Sequence, residues 1–160
     1  MTNQLKIILG IIGAFLLVIL VLYIAIDNGN DTSLDAKPIE LLITTGNNHM
    51  DKKDYNKAIK YYKAALKKDK DDKDVSFNDV RVDLAICYIN IKDYPNAKTI
   101  LDHVIEIQPR HSKAHYNLGV WYIENNQNKS AVDEFSKYLE IEPHGVLADT
   151  CKKLIAELNK

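Results

Sequence analysis

Residues 85–109, AICYINIKDYPNAKTILDHVIEIQP, and residues 119–143, GVWYIENNQNKSAVDEFSKYLEIEP, are two versions of one pattern. Each opens on a small residue, Ala85 or Gly119, and places an Ala twelve positions later, Ala97 or Ala131. A large apolar residue follows after four more, Leu101 or Phe135, and Val104 or Tyr138 after another three. Five residues beyond these stand Pro109 and Pro143. The offset between the copies is 119 minus 85, or 34. Upstream, Gly46, Ala58, Tyr62 and Ala65 form a weaker copy, with Lys70 in place of the Pro and His49 where the others have Tyr88 and Tyr122. Because 85 minus 46 is 39, five extra residues separate the first copy from the second, and the charged run DKDDKD at 69–74 marks a solvated loop or a longer helix end there.

Within each copy the apolar residues recur at spacings of three and four, the signature of an amphipathic helix, and no run alternates as a strand would. The expected fold is therefore all-α. Gly and Ala remove side-chain bulk where two helices cross, and Pro cannot continue a helix interior, so each copy predicts a helical hairpin with a stop after its second helix. The 34-residue period and these residues resemble the tetratricopeptide repeat family. That resemblance implies three hairpins in an α-α superhelix, at about residues 39–72, 78–111 and 112–145. None of the copies has the family's early Trp; Leu42, Arg81 and His115 stand in its place. After Pro143, Leu147, Cys151, Leu154, Ile155 and Leu158 make one stripe, with Asp149, Lys152, Lys153 and Glu157 off it. This predicts a capping helix over about 146–159, closing the apolar end of the stack.

Outside the repeat region, 38–159, the sequence changes character. A short head, 1–6, precedes twenty uncharged residues from Ile7 to Ile26, about 30 Å long as a helix, the hydrocarbon thickness of a bilayer. A cleaved signal peptide is the rival reading, but its apolar region is typically about 7 to 15 residues and ends at a small-x-small site, which the exit here lacks. A transmembrane anchor is expected, followed by a polar linker over 27–37, DNGNDTSLDAK. Lys6 before the span and Asp27, Asp31 and Asp35 after it place the amino terminus inside and the repeats outside the cytoplasm. The resemblance to anchored bacterial repeat proteins makes this a single-pass protein of an inner or plasma membrane. Gly10, Gly13 and Ala14 would let two such spans approach closely, although a lone lipid-facing span explains them equally.

Chemistry is sparse. The chain carries 21 Lys plus Arg against 22 Asp plus Glu, so there is no basic footprint for nucleic acid. Cys87 and Cys151 lie on apolar stripes and read as small core residues rather than a disulfide framework. His111 and His115, four apart, could share a helix face and hold a metal; a metalloprotease would need Glu after the first His, and Ser112 stands there. A nucleophile elbow, a phosphate-cradling loop and a dinucleotide fingerprint are all missing. An enzyme is not expected, and neither a cofactor, a metal nor a small-molecule substrate is implied. Asn30 and Asn128 sit in glycosylation-type triplets, which matter only in a glycosylating secretory pathway.

By resemblance, the first helix of each hairpin lines a concave groove that binds extended or helical peptides. The residues facing it would be Ile43, Asn47 and Met50, then Asp79, Val82, Ile86 and Ile89, then Lys113, Tyr116, Val120 and Ile123. Each of them could equally pack between hairpins. Trp121 reads as inter-repeat packing. Family members that grip the acidic carboxyl-terminal tails of heat-shock chaperones use a clamp of Lys, Asn, Asn, Lys and Arg. Here those positions hold Ile43, Asn47, Asp83, Lys113 and Asn117; Ile43 removes a cation and Asp83 repels a carboxylate, which disfavours that docking. The expected function is a membrane-tethered scaffold for a partner polypeptide, assisting assembly, secretion or maturation of envelope proteins. The alternative is a cytoplasm-facing receptor for targeting sequences. Oligomeric state is left open.

Overall fold

The computed structural model describes residues 32–160. The chain divides at Ala36 into two units. Of the first, the described residues hold one helical turn, α1 (Thr32–Asp35). The second, Lys37–Lys160, contains α2 (Ile39–Asp51), α3 (Tyr55–Leu66), a 3-10 turn at Val75–Phe77, α4 (Asn78–Asn90), α5 (Tyr94–Ile107), α6 (Ser112–Glu124), α7 (Asn128–Ile141) and α8 (Ala148–Leu158). It is all-α among the described residues, and α2–α3, α4–α5 and α6–α7 form three antiparallel hairpins.

The hairpins are built by the same local devices, most of them recurring in all three. Two residues past the end of each first helix stands Lys53, Lys92 or Asn126, whose φ values of 58°, 63° and 57° are left-handed and reverse the chain. The next amide then donates back to the helix: Asp54 to the His49 carbonyl, Asp93 to Tyr88 and Gln127 to Tyr122, each at 2.9 Å. Two of the second helices are capped by an Asp side chain, Asp54 accepting from the Lys57 amide and Asp93 from the Asn96 amide. At the crossing, a Cβ placed on Gly46 would lie 2.6 Å from Tyr62 Cε1, and one on Gly119 would lie 2.6 Å from Phe135 Cε1. Ala85 fills the same place opposite the smaller Leu101, so the small residue is matched to the ring or chain it faces.

Each hairpin's core is completed by the helix that follows it. Ala58 and Tyr62 close on Val80, Leu84 and Cys87 of α4. Val82, Ala85, Ala97, Leu101 and Val104 of the second hairpin close on Ala114, Leu118 and Trp121 of α6. Ala131, Phe135 and Tyr138 of α7 close on Ala148 and Cys151 of α8. The 67–77 connection is a loop with the 3-10 turn at its end. It is solvated on one side and pinned on the other: Arg81, buried at the position where the family carries Trp, donates to Asp69 Oδ2, to Asp72 Oδ1 at 2.9 Å and to the Asp74 carbonyl at 2.8 Å. A further bond runs to Asn78 Oδ1 at 2.9 Å, and Asn78 passes it on to Gln108 at 2.8 Å.

Within the expected polar linker, residues 32–35 form the helical turn α1. The membrane localisation is corrected: no helix among the described residues is long and apolar enough to cross a membrane. The longest, α5 and α7, have 14 residues, about 21 Å at 1.5 Å per residue against the roughly 30 Å of a bilayer core. The stretch 7–26 on which the anchor rested, with the head before it, lies outside the described residues.

Candidate functional site: the face of the inner helices

The first helices of the hairpins, α2, α4 and α6, share a stripe at successive turns. On α2 it comprises Glu40, Thr44, Asn47 and Asp51; on α4, Asp79, Asp83, Ile86 and Asn90; on α6, Lys113, Asn117, Val120 and Glu124. Positions correspond across the repeats by the same offsets of 39 and 34 that relate the small residues. All are exposed or half-buried, although each helix buries its other side in the core. Lys113 Nζ lies 2.9 Å from Asp79 Oδ1, which places the α4 and α6 stripes side by side.

The expected groove residues divide in two. Asn47, Asp79, Ile86, Lys113 and Val120 lie on this stripe. The remaining six, one helical step away, pack inward. Val82 is 0% exposed and belongs to the second core, so it is corrected from groove to core. Half-buried Ile43 and Met50 pack on the first cluster, Ile89 on the second, and Tyr116 and Ile123 on the third. The Tyr116 ring sits 5.7 Å from Phe135 and 6.0 Å from Tyr138. Trp121 is buried in the second cluster, its Nε1 donating to the Tyr94 carbonyl at 2.8 Å. Glu40, Thr44, Asp51, Asn90 and Glu124 were missed. Their signal was the repeat of polar residues at i, i+4 and i+11 on three aligned helices.

The face is acidic. Five carboxylates, Glu40, Asp51, Asp79, Asp83 and Glu124, share its twelve positions with one ammonium, Lys113. The Asp79 hydrogen bond raises the Lys113 pKa, so that cation is held by its neighbour. His111 Nε2 approaches the same Asp79 oxygen at 3.7 Å, but burial lowers its pKa and favours the neutral ring. Its Nδ1 accepts the Ala114 amide at 3.2 Å, capping α6. Burial raises the Asp83 pKa; Lys113 opposes this and Asp79 adds to it. Asn47 Oδ1 accepts from the Tyr62 hydroxyl at 2.7 Å, while Asn90 and Asn117 donate back to the Ile86 and Lys113 carbonyls at 2.9 and 2.8 Å. Glu124 accepts from the Tyr94 hydroxyl at 3.1 Å.

Reactive side chains elsewhere are engaged or inert. His115 is buried, with Nδ1 2.7 Å from Glu134 Oε2 and Nε2 3.0 Å from the Pro109 carbonyl. Both partners are acceptors, so both ring nitrogens donate and the ring is an imidazolium. Cys87 and Cys151 are buried thiols, pushed by desolvation up to about 12 and about 11, which leaves little thiolate for chemistry. Among the described residues no three His, Cys, Asp or Glu are grouped to hold a metal ion. A separate cleft of about 570 Å³ is lined by Tyr94, Pro95, Lys98, Thr99, Asp102, Trp121 and Asn125. Its cation, Lys98, is tied to Asp102 at 2.7 Å and lies over the Trp121 ring.

Models described as Tetratricopeptide repeat match residues 49–115 and 112–144. Among solved structures, the Sgt2 TPR domain from Aspergillus fumigatus is 24% identical, with a TM-score of 0.65 over 79% of this chain and 81% of that one. The TPR2B domain of yeast Sti1, in its pHsp70 complex, is 17% identical with a TM-score of 0.66 over 76% and 95%. The first TPR of Spaghetti, bound to the HSP90 peptide SRMEEVD, is 20% identical with a TM-score of 0.62 over 76% and 94%. No curated protein matches the chain.

Proposed function

Because the chain carries tetratricopeptide repeats across residues 49–144, we propose that it is a binding module that holds a segment of a partner polypeptide against the stripe shared by α2, α4 and α6. The observation that carries this reading is the register of that stripe. Twelve positions stay exposed or half-buried on three aligned helices, ten of them outside the core clusters and two, Ile86 and Val120, resting on the second and third, and the Asp79–Lys113 contact draws two of those helices into one continuous surface. A surface repeating every hairpin suits an extended or helical chain, which presents its own side chains at regular intervals. Structural neighbours that hold chaperone peptides support the same use of the fold.

The partner's chemistry has to come from this chain's own residues, since neighbours at such identity share the fold alone. The two-carboxylate clamp is incomplete here: Ile43 packs inward, Asp83 is an acid, and Lys113 is already paired with Asp79. Of the two readings drawn from the sequence, a scaffold for partner proteins and a receptor for targeting sequences, both use this face. Neither needs an enzyme's machinery.

The test is selection of bound sequences from a displayed peptide library by the full chain, repeated with Ile86→Arg/Val120→Arg and with Lys63→Glu on α3 as an outer control. Enrichment should vanish with the double variant and persist with the control, while circular dichroism shows unchanged helical content. A folded double variant that enriches the same peptides would place the site elsewhere.

A further inference from the structure

Resting on that reading, we infer that the face selects a cationic and apolar segment, in which an Arg or Lys side chain docks on Asp79 and Asp83 beside an aliphatic residue lying on Ile86 and Val120. The occupant is thus a basic, amphipathic peptide stretch of another protein, the opposite in charge to an acidic carboxyl-terminal tail.

Charge complementarity points this way. The twelve stripe positions carry five carboxylates and one ammonium, and the ammonium is neutralised in place. Asp79 and Asp83 are one turn apart on α4, so their side chains are neighbours on one face. Asp79 is well exposed and meets Lys113 and His111 through Oδ1, at 2.9 and 3.7 Å. Asp83 is half-buried, and its nearest cation, Lys113, is bonded to Asp79 instead. An incoming guanidinium has donors enough for both carboxylates in a planar fork, which a protein-bound Lys at Asp79 cannot supply to Asp83.

Ile86 and Val120 lie one turn further along, at corresponding positions of consecutive repeats, both half-buried, with one side on the second or third core and the rest exposed on the face. They offer apolar area beside the acidic pair, so a peptide with a cation and an aliphatic residue about one helical turn apart meets both features together. A carboxylate arriving at the same place would face Asp79 and Asp83 and would have to displace Asp79 from Lys113 to gain one favourable contact.

Two synthetic peptides decide the matter, one alternating Arg with Leu and the other alternating Glu with Leu, each titrated by fluorescence anisotropy against the full chain. The Arg–Leu peptide should bind and the Glu–Leu peptide should not. Asp79→Asn/Asp83→Asn should weaken binding by roughly tenfold or more and flatten its salt dependence. Lys113→Ala frees Asp79 from its own cation and should tighten binding of the Arg–Leu peptide. Tighter binding of the Glu–Leu peptide, or indifference to the double Asn variant, overturns the charge assignment and leaves the peptide-binding reading standing. Binding of neither peptide sinks both.

Discussion

Arg81 shows how one substituted residue reorganises its surroundings. A guanidinium in a core costs several kcal/mol in lost hydration unless every donor is satisfied, and here Asp69, the lengthened connection after it and Asn78 supply the acceptors. Asp69 is itself nearly buried, whereas Asp72 is mostly exposed, so Asp69 carries most of the pairing. Arg81→Ala would strand Asp69 and should cost about 3 kcal/mol or more in urea denaturation. Adding Asp69→Leu to Arg81→Leu should recover much of that loss. Additive losses in the double variant would show that the two side chains act independently. His115 is the other buried ion, and its stability contribution depends on pH. Its pKa stands above 6.5, first because of the Glu134 hydrogen bond. For Glu134, burial opposes ionisation, but hydrogen bonds from His115 and Lys137 outweigh it and hold the pKa below 4.5. The raised His contributes fully below 6.5 and loses its contribution as pH rises through its folded pKa; the depressed Glu contributes above 4.5 and loses it as pH falls through its own. The gap in stability between the native chain and His115→Gln should therefore be widest between 4.5 and 6.5, and it should narrow as pH rises through the raised folded pKa of His115. A gap that is constant over this range would exclude the ion pair as its source.

At the scale of the element, the hairpin is specified by pairs sixteen residues apart: Gly46 with Tyr62, Ala85 with Leu101, Gly119 with Phe135. Gly119→Ala gains helix propensity, about 1 kcal/mol, yet drives a methyl to 2.6 Å from an aromatic carbon in a packed core. The clash should win, lowering stability by about 1–3 kcal/mol. Combining it with Phe135→Leu recreates the Ala85–Leu101 pair, and the double variant should be less destabilised than the two single losses summed. Simple additivity, measured in a double-mutant cycle, would mean that the pairs are not the unit of hairpin packing. These pairs are also why the hairpins were legible in the sequence, since each is a contact made at the same place in every copy. The face was read less well for a geometric reason. Ile43 and Thr44, or Val82 and Asp83, differ by about 100° around a helix, and apolar residues on an inner helix can point to the core or to the face. The repeat pattern establishes that both stripes exist without saying which one turns outward. The Arg81 network was illegible because Asp72 and Asp74 lie in the lengthened connection after Lys70, which has no counterpart in the other copies, and the aligned partners of Asp69 are Gln108 and Glu142.

At the scale of the repeat domain, stability is handed from one hairpin to the next, because each core contains residues from the following helix. The last hairpin depends on α8, whose Ala148 and Cys151 close over Phe135 and Tyr138. Cys151 is fully buried and its thiol takes no part in a disulfide, so its contribution is volume and dryness. Cys151→Asp would bury an unpaired charge at that seam, a change the domain can relieve by releasing α8. The consequence differs with distance along the stack. Amides of α6 and α7 should exchange hydrogen far faster than in the native chain, those of α4 and α5 moderately faster, and those of α2 and α3 little changed, since contacts run mainly between neighbours. Hydrogen exchange followed by mass spectrometry reads this gradient directly. Uniform loss of protection from α2 to α8 would mean that the three hairpins unfold as one cooperative block. In that case the face they share would be assembled or lost as a whole, and a partner bound at α4 would stabilise α8 as strongly as it stabilises α2.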